Sequence, residues 1–107
     1  MPIRQISAIE LRDRLQSDQP PVLLDVRQPE EFAYARIDGS VLIPLHLLPI
    51  RFSELDADRE IAVICHHGMR SQQAAFFLDR QGFKHILNLS GGIDAWSRNC
   101  DPSVPTY

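Results

Sequence analysis

A thiol, two imidazoles, a glycine and a guanidinium follow one another in Cys65-His66-His67-Gly68-Met69-Arg70, with a serine hydroxyl next at Ser71. The β-branched, apolar run Ile61-Ala62-Val63-Ile64 leads into this segment, and helix-compatible sequence leads out of it. A cysteine at the carboxyl end of a buried strand then faces the amino end of a helix. Backbone N–H groups and the positive end of the helix dipole converge there, a combination that binds anions. Such a field favours thiolate over thiol, and the thiolate is the nucleophile. Cys65 is therefore a candidate nucleophile.

Cysteine also serves as a small buried hydrophobe, so the residues after it decide between the two readings. His66 and His67 are polar, Gly68 permits a positive φ or a close backbone approach, and Arg70 brings a fixed cation. Each is poorly suited to a core and well suited to an anion cradle. Arg70 in a first helical turn opposes the dipole slightly, which favours a role in binding. Adjacent histidines in a tight loop cannot easily converge on one metal, and no second ligand pair is visible. Neither a metal site nor a cofactor is expected.

The elements that position this segment read as alternating strands and helices. Ser7-Ala8-Ile9-Glu10 fits a capping box, with Ile9, Leu11 and Leu15 on the buried side of the helix it opens. Val22-Leu23-Leu24-Asp25-Val26 reads as a buried parallel strand, and Pro29 to Ala35 as a short helix with proline first and acids in its first turn. A strand over 40–44, broken helical turns over 45–55 interrupted by Pro49, and the strand before Cys65 come next. The spacing predicts a helix over 70–81 stopped by Gly82, then a strand over 85–89 and a last helix opened by Gly91-Gly92. Alternation of this kind gives an α/β domain whose parallel sheet is covered on both faces. Ligands bind such sheets beyond the carboxyl ends of the strands, where both Cys65 and Asp25-Val26-Arg27 lie. Asp25 closes an apolar strand, so its charge needs a partner. A salt bridge or backbone clamp is the favoured reading, with Arg27 and Arg36 as candidate partners or substrate-facing cations. Gly91-Gly92 reads as a tight turn that lets the last helix pack beside the active loop.

With 107 residues, the chain makes one compact domain over 1–107, with about 98–107 as a loosely held tail. Hydrophobic residues make up 44% and charged residues 23%, a globular balance, and the net charge of −3 carries no footprint for nucleic acid. No run approaches the roughly 18 apolar residues that span a bilayer. Met1-Pro2-Ile3-Arg4-Gln5 lacks the apolar stretch of a signal peptide. Cys65 and Cys100 do not make a disulfide framework. The expected setting is the reducing cytoplasm, and Cys100 reads as incidental.

At these residues the chain resembles the single-domain rhodaneses, sulfurtransferases that carry sulfur as a cysteine persulfide. The resemblance spans nearly the whole chain. It runs through Leu24-Asp25-Val26-Arg27 with Glu30-Glu31-Phe32, Ile37-Asp38-Gly39-Ser40 leading to Ile43-Pro44, Cys65 to Ser71, and Leu89-Ser90-Gly91-Gly92-Ile93-Asp94-Ala95-Trp96. It implies a three-layer α/β/α fold with a five-stranded parallel sheet and Cys65 as the sulfur-carrying nucleophile. The backbone of residues 66–70 (His66, His67, Gly68, Met69 and Arg70) would cradle the sulfur, with Asp25, Arg27 and Ser71 in support. The implied partners are a thiosulfate-like donor and a thiol, cyanide or sulfur-carrier protein acceptor. Arg36 stands where the family frequently has histidine. The ending Asp101 to Tyr107 is similar to rhodanese domains fused to sulfur-carrier-activating enzymes.

Two other classes compete. Dual-specificity phosphatases and arsenate reductases use related loops that are one residue longer, whereas four residues, His66 to Met69, separate Cys65 from Arg70 here. The shorter ring suits a single sulfur atom better than a phosphoryl group. Rhodanese-like folds also serve as binding or regulatory modules, but those usually lack the cysteine. An exposed, readily alkylated Cys65 would mark the catalyst.

Overall fold

A computed structural model describes residues 3–107, so Met1 and Pro2 of the amino-terminal reading lie outside the described residues. Strands β1 (Ile3–Ile6), β2 (Val22–Asp25), β3 (Val41–Leu42), β4 (Ile61–Ile64) and β5 (Ile86–Leu89) form one sheet in the order β1-β5-β4-β2-β3. Every pairing is parallel. The connections carry helices α1 (Ala8–Leu15), α2 (Pro29–Tyr34), α3 (Leu48–Arg51) and α4 (Met69–Arg80), and α5 (Gly92–Asn99) follows the last strand. A parallel sheet needs such crossovers. Because they cover both of its faces, all four residues of β4 are buried.

Side-chain alternation along β4 divides the core in two. Ile61, Val63 and Cys65 pack with Ala74, Ala75 and Leu78 of α4 and with Leu48 of α3. Ala62 and Ile64 pack on the opposite side with Ala8 and Leu11 of α1 and with Ile93 and Trp96 of α5. Fully burying a leucine or isoleucine stabilises by roughly 1.5–3 kcal/mol, so each face is anchored by its own set. The three-layer fold is the one expected, and it points Cys65 toward the face covered by α4.

The α1 capping box forms as read: Ser7 Oγ accepts from the Glu10 N–H at 3.1 Å, and Glu10 Oε1 accepts from the Ser7 N–H at 3.0 Å. α4 starts after Gly68 and stops before Gly82, both at positive φ. Other elements depart from the reading. β1 was not foreseen. It lies at the sheet edge with Arg4 and Gln5 exposed, so only Ile3 and Ile6 carry an apolar signal. β3 shortens to two residues at the other edge. Ile9 faces solvent at 48% exposure, while Ala8 and Leu11 fill the buried side of α1. Pro49 interrupts nothing, because it sits in the first turn of α3, where its missing N–H is not needed.

The tail departs from the reading in part. Residues 98–99 still belong to α5, and beyond them Val104 is buried while Pro102, Ser103, Pro105 and Thr106 are exposed. Asp101 Oδ1 accepts from the Ser103 N–H at 3.1 Å and the Ser103 hydroxyl at 2.5 Å, and Val104 N–H donates to Asp101 carbonyl oxygen at 3.1 Å. This turn buries Val104 in the second apolar set and carries Tyr107 to the loop after β4.

Candidate active site

Cys65 follows the last residue of β4 and is only 1% exposed, so it is not the open thiol that easy alkylation requires. Its Sγ accepts from the Gly68 N–H at 3.0 Å and lies 3.3 Å from Ser71 Oγ. The loop folds back on its own cysteine because Gly68 adopts φ +110°, a conformation that L side chains rarely take. Among the described residues, the N–H groups of His66, His67, Met69 and Arg70 have no backbone acceptor. The last two belong to the first turn of α4, whose N–H groups have no intrahelical partner. The segment therefore carries both a buried cysteine sulfur and, among the described residues, N–H groups without a backbone acceptor.

The amino end of α5 holds this loop in place. Ile93 N–H donates to the Cys65 carbonyl at 2.8 Å, and Asp94 N–H donates to that of His66 at 3.2 Å. Glycine is required at position 92: a Cβ there would lie 2.4 Å from both carbonyl oxygens. The expected role of Gly91-Gly92, a turn that brings the last helix against the active loop, is met. The Asp94 carboxyl lies below its ordinary value, chiefly through its bond from Arg98 and also through the nearby imidazoles of His67 and His66.

The histidines are engaged with aromatic rings. His66 stacks on His67 with centroids 3.9 Å apart and on Tyr107 at the same distance, the latter pair only 6° from parallel. His66 Nε2 is buried without a hydrogen-bond partner. Among the described residues, no group of three or more His, Cys, Asp or Glu is placed to hold a metal ion. Met69 points outward and is largely exposed.

Arg70 is paired, which the sequence reading did not anticipate. Its Nη1 and Nη2 donate to Glu31 Oε1 and Oε2 at 2.6 and 2.8 Å, a two-pronged bridge across to α2. Glu31 also accepts from the Gln28 N–H at 2.9 Å and the Tyr107 hydroxyl at 2.7 Å. The bond from Arg70 is the main cause that brings the Glu31 carboxyl down to about 2, with Gln28 and Tyr107 adding to it against desolvation. Reciprocally, Glu31 raises the Arg70 guanidinium further above its usual range.

Asp25 finds its partner in Arg27, and Arg36 instead lies over the Phe32 ring at 5.1 Å. Arg27 is fully buried, not exposed. Its Nε and Nη2 grip Asp25 at 2.9 and 2.7 Å, Nη2 donates to the Ala35 carbonyl, and Nη1 donates to the Tyr107 hydroxyl at 2.8 Å. Burial opposes the charge, yet the bonds from Asp25 and Tyr107 leave the guanidinium raised. Asp25 and Arg27 thus form the expected clamp beside the loop.

Glu31 and Tyr107 are the members that sequence reasoning did not place in the site. Glu31 had a faint signal as a first-turn acid of a short helix. Tyr107 had none, because its contacts are made only once the tail folds back.

The Rhodanese-like domain family matches residues 7–99. A sulfurtransferase from Allochromatium vinosum is 40% identical over 102 residues, covering 95% of each chain. The thiosulfate sulfurtransferase GlpE of Stutzerimonas stutzeri is 40% identical over 82 residues, covering 77% of this chain and 74% of that one. A crystal structure of a rhodanese-like domain protein from Staphylococcus aureus superposes with a TM-score of 0.84 at 27% identity, covering 97% and 98% of the two chains. Likeness to relatives named as sulfurtransferases, together with the fold, supports sulfur transfer as the activity. The chain belongs to the rhodanese-like domain family.

Proposed function

We propose that the protein moves sulfane sulfur from thiosulfate, or a comparable persulfide donor, to a thiophilic acceptor through a persulfide on Cys65. The Cys65 thiolate attacks the outer sulfur of thiosulfate, and the donor S–S bond breaks with its electron pair leaving on sulfite. A Cys65 persulfide anion remains. Cyanide or a thiolate then attacks the terminal sulfur, and the electron pair of the broken bond returns to Cys65. Splitting the transfer into two displacements predicts ping-pong kinetics. A thiol or a sulfur-carrier protein fits the acceptor role as well as cyanide does.

One observation carries this reading: the Gly68 N–H lies 3.0 Å from Cys65 Sγ, in a loop whose neighbouring N–H groups are unspent. Fixed donors aimed where negative charge develops stabilise the transition state without reorganising. A buried Sγ with a short loop over it favours a small sulfur donor over a bulky phosphoester, so negligible hydrolysis of aryl phosphates is expected. The deciding measurement is intact mass after thiosulfate treatment. One added sulfur atom, removed by cyanide and absent from Cys65→Ser, supports the proposal. Retained sulfur transfer in Cys65→Ser refutes it. Cys100→Ser should behave as the unaltered protein, because Cys100 lies beyond α5 against the second apolar set.

A further inference from the structure

Tyr107 touches three different parts of the site. Its ring lies parallel to His66, the residue after the nucleophile, with centroids 3.9 Å apart, and edge-on to Tyr34 at 6.0 Å. Its hydroxyl accepts from Arg27 Nη1 at 2.8 Å and donates to Glu31 Oε2 at 2.7 Å. The direction of that second bond is forced. A guanidinium can only donate, so the phenol must accept from Arg27, and its single proton is left for Glu31.

Arg27 is immobilised by Asp25 and by the Ala35 carbonyl. The phenol therefore connects a rigid anchor to Glu31, whose carboxylate in turn aligns both terminal nitrogens of Arg70. The Arg70 side chain is otherwise long and one-third exposed. Without a fixed carboxylate it would sample many rotamers, and ordering them would weaken anion binding.

We propose that Tyr107 is a positioning residue for sulfur transfer, one that fixes Glu31 and thereby holds Arg70 in the orientation that receives an anionic donor. The inference rests on the proposed reading that the donor is an anion of the thiosulfate type. Tyr107 touches none of the reacting atoms; its ring on His66 and its hydroxyl on Glu31 act through the loop and through Arg70.

The test compares Tyr107→Phe, which keeps the ring stack and loses only the hydroxyl, with Tyr107→Ala, which loses both. In Tyr107→Phe the KM for thiosulfate should rise about three- to tenfold, the scale of one hydrogen bond, with kcat changed less. A neutral organic persulfide donor should show a smaller change, and Tyr107→Ala should slow both donors. Two readouts do not depend on turnover. Thiosulfate affinity, measured in a Cys65→Ser background, should fall by the same factor on adding Tyr107→Phe. The Glu31 side-chain carbon, followed by NMR against pH, should titrate above its midpoint of about 2, because the phenol proton no longer stabilises the carboxylate. An unshifted Glu31 midpoint, unchanged thiosulfate affinity, or equal losses for both donors would overturn the proposal. If the unaltered protein transfers no sulfur at all, the reading of function fails, and the two turnover-free measurements still decide the role of Tyr107.

Discussion

Arg27 and Arg70 are both arginines bridged to a carboxylate at the carboxyl edge of the sheet, and they are built for opposite purposes. Arg27 is completely buried, and its guanidinium is spent on Asp25, two carbonyls and the Tyr107 hydroxyl. Arg70 leaves a third of its side chain exposed, and among the described residues only Glu31 takes its protons. One cation is consumed as scaffold; the other is partly exposed and, among the described residues, has N–H groups left over after its two bonds to Glu31. Arginine type and nearness to the nucleophile therefore do not assign a role. The count of unspent donors does.

Breaking the scaffold should have the largest effect. Arg27→Leu leaves the Asp25 carboxylate buried without its cation, which costs about 3–5 kcal/mol, measured as a fall in unfolding free energy by denaturant titration. The double variant Asp25→Leu/Arg27→Leu should recover part of that loss, because no lone charge stays buried. A stable but inactive Arg27→Leu would show that Arg27 works on the substrate and would erase the contrast. Arg70→Ala, by comparison, should remove about 1.5–3 kcal/mol of transition-state stabilisation, read from kcat/KM with thiosulfate. Its stability should fall by less than that of Arg27→Leu, because the Arg70–Glu31 bridge is only partly buried and solvent screens it.

Gly92→Ala separates lost charge from lost loop geometry. The new methyl would press on the Cys65 and His66 carbonyl oxygens, so that the loop must shift. Transfer from thiosulfate and from a neutral persulfide should then decline together, by up to about a hundredfold if one N–H donor to the sulfur is lost. Arg70→Ala should instead discriminate between the two donors. If both variants give the same donor profile, Arg70 acts on the loop and not on the anion.

The same contrast explains what could be read from the sequence. The grouping of Cys65, its strand, Gly68 and Ser71 was legible because the geometry that unites them is local: a strand end, a positive-φ glycine and the first turn of α4. The buried central strands β2, β4 and β5 announce themselves as apolar runs, whereas β1 shows only two apolar residues because an edge strand exposes its middle. Glu31 and Tyr107 stayed hidden for a different reason. Their chemistry comes from side chains that meet across the chain, and neither periodicity nor spacing encodes that meeting. Arg70 looked like a free cation for the same reason, since its partner is on α2.

The smallest expected effect concerns pH, and it tests whether the Glu31–Arg70 bridge is an ion pair with an energetic consequence. The folded Glu31 carboxyl titrates at about 2 against an ordinary value of 4.5, with the bond from Arg70 as the leading cause. A depressed carboxyl contributes stability that is fully present above about 4.5 and is lost as pH falls toward 2. Glu31→Gln keeps the shape and removes the charge, so at neutral pH the variant should be less stable than the parent. Protonated glutamate resembles glutamine in charge, and the difference between the two proteins should shrink steadily between pH 4.5 and 2. Urea titrations of both proteins across that window measure it directly, and other carboxylates cancel in the difference. A gap that stays constant with pH would mean that charge adds nothing to the bridge, and Arg70 would then be tied to Glu31 by geometry alone, still more loosely than Arg27 is tied to Asp25.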